Sequence, residues 1–268
     1  FRSIKKSANM MQAKTDEGQQ SYTGSWEFAR LCTDELQTHM EMSIPGYDTG
    51  HEIIRLMSHN FIRSRSRVYD IGCGPGKLTR MLAEEHRDKI GIEIIGVDPY
   101  VQFYANFFKE VEEESRGVGL SFVPAAENMS NMKQADMAIM YYVLQFLSTD
   151  ERRVMLQQTL ASLTTGGALF VFEKINEDKG LIHEMFTGAH ERMKLSRGFS
   201  AKEIIEKKMA LMGCMQPRSR EELLKEINGC DIEVETTLAY KELCFEGYIR
   251  SEEHTSELQS QFRISYAV

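Results

Sequence analysis

"RVYDIGCGPGKLTRML", Arg67 to Leu82, is the stretch whose reading decides the fold. A β-rich opening breaks into Gly72-Cys73-Gly74-Pro75-Gly76, and helical spacing resumes at Lys77. This order predicts a short buried strand over Val68–Ile71, a tight glycine turn and a helix over Lys77–His86. Glycine at every second position lets the backbone take positive φ and approach a ligand where any Cβ would collide with it. The helix N-terminus beyond the turn adds partial positive charge. Such a turn between strand and helix is suited to holding a nucleotide.

The same alternation continues outward. Ile92–Asp98 is an apolar run ending in a carboxylate, and Pro99–Glu114 reads as a helix with proline in its first turn. "LSFVPA" and "ADMAIMYYVL" are further strands, followed by a helix over Ser148–Leu163 and a strand at "GGALFVFEK", Gly166–Lys174. Upstream, two helical segments are hinged at Pro45-Gly46. Alternating β and α patterns predict a parallel sheet covered on both faces. The pattern lapses over residues 175–217, which are helical and charge-rich and read as a lid or dimerisation insertion. A helix Ser219–Asn228 closed by Gly229 follows, and "IEVETTLAY" and "KELCFEGYIR" form a terminal hairpin. The expected organisation is a flexible arm over 1–24 and one domain over 25–250. "RSEEHTSELQS", from Arg250, reads as a translated sequencing adapter, so 251–268 is expected to be a non-native tail.

Composition narrows the function. The 268 residues carry a net charge of −8, against the basic footprint of a nucleic-acid binder. No run approaches the roughly 20 apolar residues of a membrane span. Five cysteines, scattered and without CxxC spacing, suit a reducing, cytoplasmic setting and neither a zinc site nor a disulfide framework. No metal cluster and no Ser/His/Asp arrangement is evident.

The dinucleotide fingerprint needs G-x-G-x-x-G, whereas here the third glycine comes one residue early. Asp70-x-Gly72-x-Gly74-x-Gly76 instead resembles motif I of class I S-adenosylmethionine (SAM) methyltransferases. The resemblance implies a Rossmann-like α/β fold whose seven-stranded, mostly parallel sheet ends in an antiparallel hairpin. The terminal hairpin agrees with it and is unusual for nicotinamide-binding domains. In this reading Gly72, Cys73, Gly74 and Gly76 pass close to the ligand, and Asp70 accepts from its ammonium group. Asp98, with Pro99 beside it, accepts both ribose hydroxyls, a role that NAD would use equally. "AAENM" resembles the adenine-contacting segment, with the N–H of Ala126 or Glu127 meeting the ring. Tyr141 and Tyr142 end a strand where the transferable methyl belongs.

A closer resemblance runs from about Trp26 to Ile249. "SIPGYD" (Ser43–Asp48), "VYDIGC", "VLQFLSTDERR" (Val143–Arg153), "GGALFVFEK" and "GFSAKEIIEKK" (Gly198–Lys208) are similar to the carboxy-SAM synthase family. That family makes carboxy-SAM from SAM and prephenate. It implies a homodimer, with Tyr47 near the cofactor and the insertion serving the neighbouring site. Four positions depart from it: Gly74-Pro75, Ala125, Tyr141, and Lys208 where an arginine meets the extra carboxylate. Lysine lacks the bidentate fork of arginine. The departures favour methyl transfer to a small carboxylate-bearing metabolite, with S-adenosylhomocysteine (SAH) as product, over carboxy-SAM synthesis or a non-catalytic SAM-binding module. Tyr22, Tyr47, Tyr141, Tyr142 and Phe146 are candidates for the methyl site, stabilising a cationic donor or product through their rings. His190 and Glu173 are candidate general bases, and Arg192, Arg197 and Lys208 candidate partners of an acceptor carboxylate.

Overall fold

The computed structural model describes residues 12–14, 20–22, 33–104, 118–124, 132–177, 180–229 and 236–251. Nine strands occur in them: β1 Gln12–Lys14, β2 Gln20–Tyr22, β3 Arg67–Ile71, β4 Ile92–Asp98, β5 Val118–Pro124, β6 Ala135–Tyr141, β7 Leu163–Lys174, β8 Thr236–Glu242 and β9 Phe245–Ser251. The helices are α1 Thr33–Ser43, α2 Tyr47–Ser58, α3 Lys77–Glu85, α4 Thr149–Ser162, α5 Gly180–Ser196, α6 Ala201–Leu211 and α7 Arg220–Asn228.

Seven strands form one sheet in the order β5-β4-β3-β6-β7-β9-β8. The pairings β3–β4, β3–β6, β4–β5 and β6–β7 are parallel, and β9 runs antiparallel to both β7 and β8. This is the expected sheet with its terminal hairpin. The chain order reverses between β3 and β6, so their carboxyl ends open a crevice of the kind that takes ligands.

β6 shows why the centre of the sheet is so apolar. Met137, Ile139 and Tyr141 join one core with α2 and α3. Ala138 and Met140 face the other, with Met155 and Leu156 of α4 and Leu223 and Ile227 of α7. Successive side chains of a strand point to opposite faces, and both faces here are covered. Helix starts are encoded locally: Ser148, Ser200 and Ser219 each form a reciprocal capping box, with Glu151, Glu203 and Glu222.

Differences from expectation are small within the described residues. α4 ends at Ser162 and β7 begins at Leu163, so the strand takes in Thr164 and Thr165. After Pro99 the structure describes a 3-10 turn, Val101–Phe103, and Tyr104 beyond it; residues 105–114 of the expected helix lie outside the described residues. So do Ala125, Ala126, Glu127 and residues 252–268. Within the stretch expected as an arm, β1 and β2 pair as a small antiparallel sheet, and β2 lies beside α6.

Candidate active site

The glycine loop folds back over the end of β4. Gly72 and Cys73 N–H groups both donate to the Val97 carbonyl, at 2.6 and 3.3 Å. Gly72, Gly74 and Gly76 all have positive φ, which glycine adopts without strain. They do so for different reasons. A Cβ on Gly72 would lie 2.3 Å from Cγ2 of Val143, so protein packing excludes a side chain there. A Cβ on Gly74 meets nothing within 4 Å, so the space over it is open. Gly76 is the N-cap of α3, at the base of the loop.

Asp98 ties the loop to its neighbour strand. Its Oδ2 accepts from Gly74 N–H and its Oδ1 from Tyr100 N–H, both at 2.9 Å. Each oxygen keeps a lone pair for a ribose hydroxyl. Burial pushes the carboxyl up to about 6 even though both backbone bonds favour the charged form. Asp70 is similarly raised by burial to about 6, and Thr79 Oγ1 donates to its Oδ2 at 2.5 Å. Lys77, the first residue of α3, ion-pairs with Glu41 of α1 and Asp48 of α2. The two helices are thereby held against the loop.

From this loop the cleft runs across the end of β6 to β7 and the insertion. Its wall includes Tyr47, Asp70, Gly72, Cys73, Gly74, Asp98, Pro99, Tyr141, Tyr142, Phe146 and His190, all expected at the site. Tyr47, His51 and Tyr141 form an aromatic group, with His51 4.5 Å from each tyrosine ring and Tyr47 5.3 Å from Tyr141. The Tyr141 hydroxyl donates to the Tyr47 carbonyl at 2.5 Å. Tyr142 has φ +60°, a region costly for a bulky side chain and often found at functional sites. Its N–H donates to the Phe172 carbonyl, which holds the turn.

Four buried polar atoms on residues of this wall find no hydrogen-bond partner among the described residues: Gln37 Oε1, His51 Nδ1, the Tyr142 hydroxyl and Gln145 Oε1. Unsatisfied buried groups are rare and costly, so their gathering in one cleft suits a polar ligand. The open space over Gly74 and the two carboxyls fit the amino-acid and ribose portions of SAM.

The second half of the site differs from expectation. Lys208 is exposed and pairs with Glu191 at 3.2 Å. Arg192 is exposed, and Arg197 Nη1 donates to the carbonyls of Glu41, Met42 and Ile44. It therefore caps the end of α1 and does not reach the cleft. Lys174 of β7, Lys194 of α5 and Lys207 of α6 line the cleft instead. The helical spacing explains the exchange: Ile204, Lys207 and Leu211 share the inward face of α6, while Lys208 lies about 100° round the helix. That spacing was present in the sequence and marks Lys207 as the inward cation. Of Tyr22, the structure describes only its place on β2, beside α6.

The candidate bases are both engaged. Glu173 is buried behind the cleft, where its oxygens accept from Leu144 N–H at 2.7 Å and Gln145 N–H at 2.9 Å. Burial raises it to about 7. His190 Nε2 bonds the Ser43 carbonyl at 2.7 Å, and burial lowers the ring to about 3.

Residues 69–169 match the family described as a methyltransferase domain. Carboxy-S-adenosyl-L-methionine synthase of Vibrio vulnificus (strain YJ016) is 26% identical over 199 residues, covering 74% of this chain and 81% of the relative. The protein of that name from Aliivibrio salmonicida (strain LFI1238) is 27% identical over 194 residues, covering 72% and 80%. Among solved structures, the plantazolicin methyltransferase BpumL, in complex with a triazolic desmethylPZN analog and SAH, superposes with TM-score 0.58 at 10% identity. That match covers 81% of this chain and 89% of the other. An O-methyltransferase family protein from Burkholderia thailandensis superposes with TM-score 0.55 at 15% identity, over 83% of this chain and 60% of that one. The two superpositions speak to the fold alone; the sequence matches and the glycine loop speak to the cofactor. The chain is a class I SAM-dependent methyltransferase related to the carboxy-SAM synthases, and SAM is its cofactor.

Proposed function

We propose that the enzyme transfers the methyl group of SAM to a sulfur or nitrogen atom of a small, carboxylate-bearing metabolite. The observation that carries this reading is the state of the two candidate bases. A hydroxyl acceptor must lose a proton, and neither group suits that task. Glu173 is not on the cleft wall and is held by two backbone N–H groups. His190 donates Nε2–H to a carbonyl, and its remaining nitrogen is too weakly basic. A thioether or neutral amine attacks through a free lone pair and needs no base.

SAM supplies a methyl already activated on a sulfonium, so alignment and exclusion of water remain for the protein. Asp98 and the loop hold the nucleoside end, and Asp70 the ammonium. Tyr47, Tyr141 and Tyr142, with His51 packed among them, present ring faces that stabilise positive charge on donor or product. The reading includes a cytoplasmic homodimer. Exposed Leu181, Met185, Ile205, Met209 and Met212 on and beside α5 and α6 are the apolar surface a second copy would cover.

The names of the relatives support a second reading, carboxy-SAM synthesis from SAM and prephenate. Mass spectrometry of two incubations separates them. With SAM and a panel of thioether and amine acids, the first reading predicts SAH in equal amount to a methylated acid. Carboxy-SAM formed from SAM and prephenate, with no methylated acid from the panel, would replace it by the second.

A further inference from the structure

Two helices and a strand bring cations to one end of the cleft. Lys174 ends β7, Lys194 lies on α5 one turn after His190, and Lys207 is on the inward face of α6. Lys207 Nζ contacts His39 Nε2 of α1 and donates to Ser43 Oγ at 3.2 Å. Neither Lys174 nor Lys194 makes an ion pair among the described residues. The carboxylates that act on the group are already engaged: Glu191, which acts on Lys194, pairs with Lys208, and Glu203, which acts on His39, is taken up by the Ser200 capping box. His190, on which all three lysines act, Lys208, which acts on Lys194 from α6, and Cys244, in the β8–β9 turn, are the other titratable neighbours.

Three lysines sharing a half-enclosed cavity repel one another, and water screens them poorly there. Burial and this repulsion drive Lys194 down to about 8, push Lys207 down and lower His39 to about 3. A monoanion would offset only part of that repulsion. Lys174 ends β7, two strands across from β3, which carries Asp70, or roughly 10 Å at ordinary strand spacing. β6, with Tyr141 and Tyr142, lies between. The cationic group is therefore set apart from the cofactor loop, on the acceptor side.

We propose that Lys174, Lys194 and Lys207 form a subsite for a doubly charged anionic group, a dicarboxylate or a phosphomonoester, on the metabolite that receives the methyl. The assignment to the acceptor rests on the methyl-transfer reading, whereas the binding of a dianion does not. An anion arriving there stabilises the protonated lysines, so binding near pH 8 takes up protons.

The test is calorimetry on the SAH-loaded protein at low ionic strength, with malonate, inorganic phosphate and acetate as probes. Malonate or phosphate should bind at least tenfold more tightly than acetate; the tighter of the two shows which dianion the site prefers. Malonate heats compared in Tris and phosphate-free HEPES at pH 8 should show net proton uptake. Lys194→Met and Lys207→Met should each weaken the preferred dianion at least tenfold while SAH affinity stays within about twofold, which also shows that the variants are folded. Equal binding of acetate and the dianions, or dianion binding that survives both substitutions, overturns the subsite. A parallel loss of SAH affinity overturns it too, since the lysines would then serve the cofactor's own carboxylate. A dianion that binds as expected while no acceptor is ever methylated would leave the subsite standing and remove the methyl-transfer reading.

Discussion

The two ends of the cleft are built in opposite ways. At the β3–β4 end, function is carried mostly by backbone: glycines with positive φ, N–H groups tied to Val97 and Asp98, and one helix start. At the β6–β7 end it is carried by side chains from α1, β7, α5 and α6, as many as 168 positions apart in the chain for Lys207 and His39. The first arrangement is local and tied to one cofactor. The second is assembled only by tertiary packing, and in the proposed reading it is where a chain changes its acceptor without disturbing SAM.

The largest effect expected at the cofactor end comes from Asp98→Ala. It removes the tether of Gly74 and Tyr100 and, in the proposed reading, both ribose acceptors. Charge-assisted hydrogen bonds contribute about 1.5–3 kcal/mol each, so SAH affinity measured by calorimetry should fall about 100-fold or more. Unchanged affinity would erase the distinction between the two ends.

A pair of glycine substitutions sharpens it. Gly72→Ala puts a methyl 2.3 Å from Val143 and should lower stability by about 1–3 kcal/mol, read as a fall in melting temperature. Gly74→Ala meets no protein atom, so it should cost only about 1–2 kcal/mol of backbone strain yet weaken SAH more than tenfold. Similar melting curves and similar SAH affinities for the two would contradict the division between packing glycine and ligand glycine.

Proton linkage gives a smaller, graded effect. Asp70 and Asp98 are both raised to about 6, so below that pH the empty site holds protons that an ionised acceptor must release. SAH affinity should therefore fall as pH drops through 6, by up to tenfold per unit for each coupled proton. The sign for the empty protein is opposite. Raised carboxyls make the folded chain bind more protons than the unfolded one between about pH 4 and 6, so their contribution to stability declines as pH rises over that window. Asp98→Ala should remove part of both slopes.

The smallest effect is expected from Lys208→Met. Lys208 is exposed and paired only with Glu191 among the described residues, so turnover should stay within about twofold of the unaltered enzyme. A large loss would put Lys208 in a neighbouring subunit's site, as the family resemblance implies, and would make the acceptor end a shared one.

This contrast also explains what could be read in advance. The strand–turn–helix that brings Asp70, the glycines and Asp98 together was legible because its elements follow one another within about thirty residues and each carries its own signal. The terminal hairpin was legible for the same reason. Lys207 was missed because alignment to a family position pointed to Lys208, one residue along, whereas helical spacing from Ile204 to Leu211 sets which of the two faces inward. His190 and Glu173 were plausible bases by residue type. Their engagement with Ser43, Leu144 and Gln145 depends on contacts that span up to 147 positions and leave no local pattern.

The most direct test supplies SAM carrying a heavy-isotope methyl together with the small-molecule fraction of a cell extract, followed by mass spectrometry of every product. The account predicts unlabelled SAH and an anionic metabolite that has gained the labelled methyl on sulfur or nitrogen. Consumption of SAM into a carboxylated SAM that retains the label, with no methylated metabolite, would contradict it.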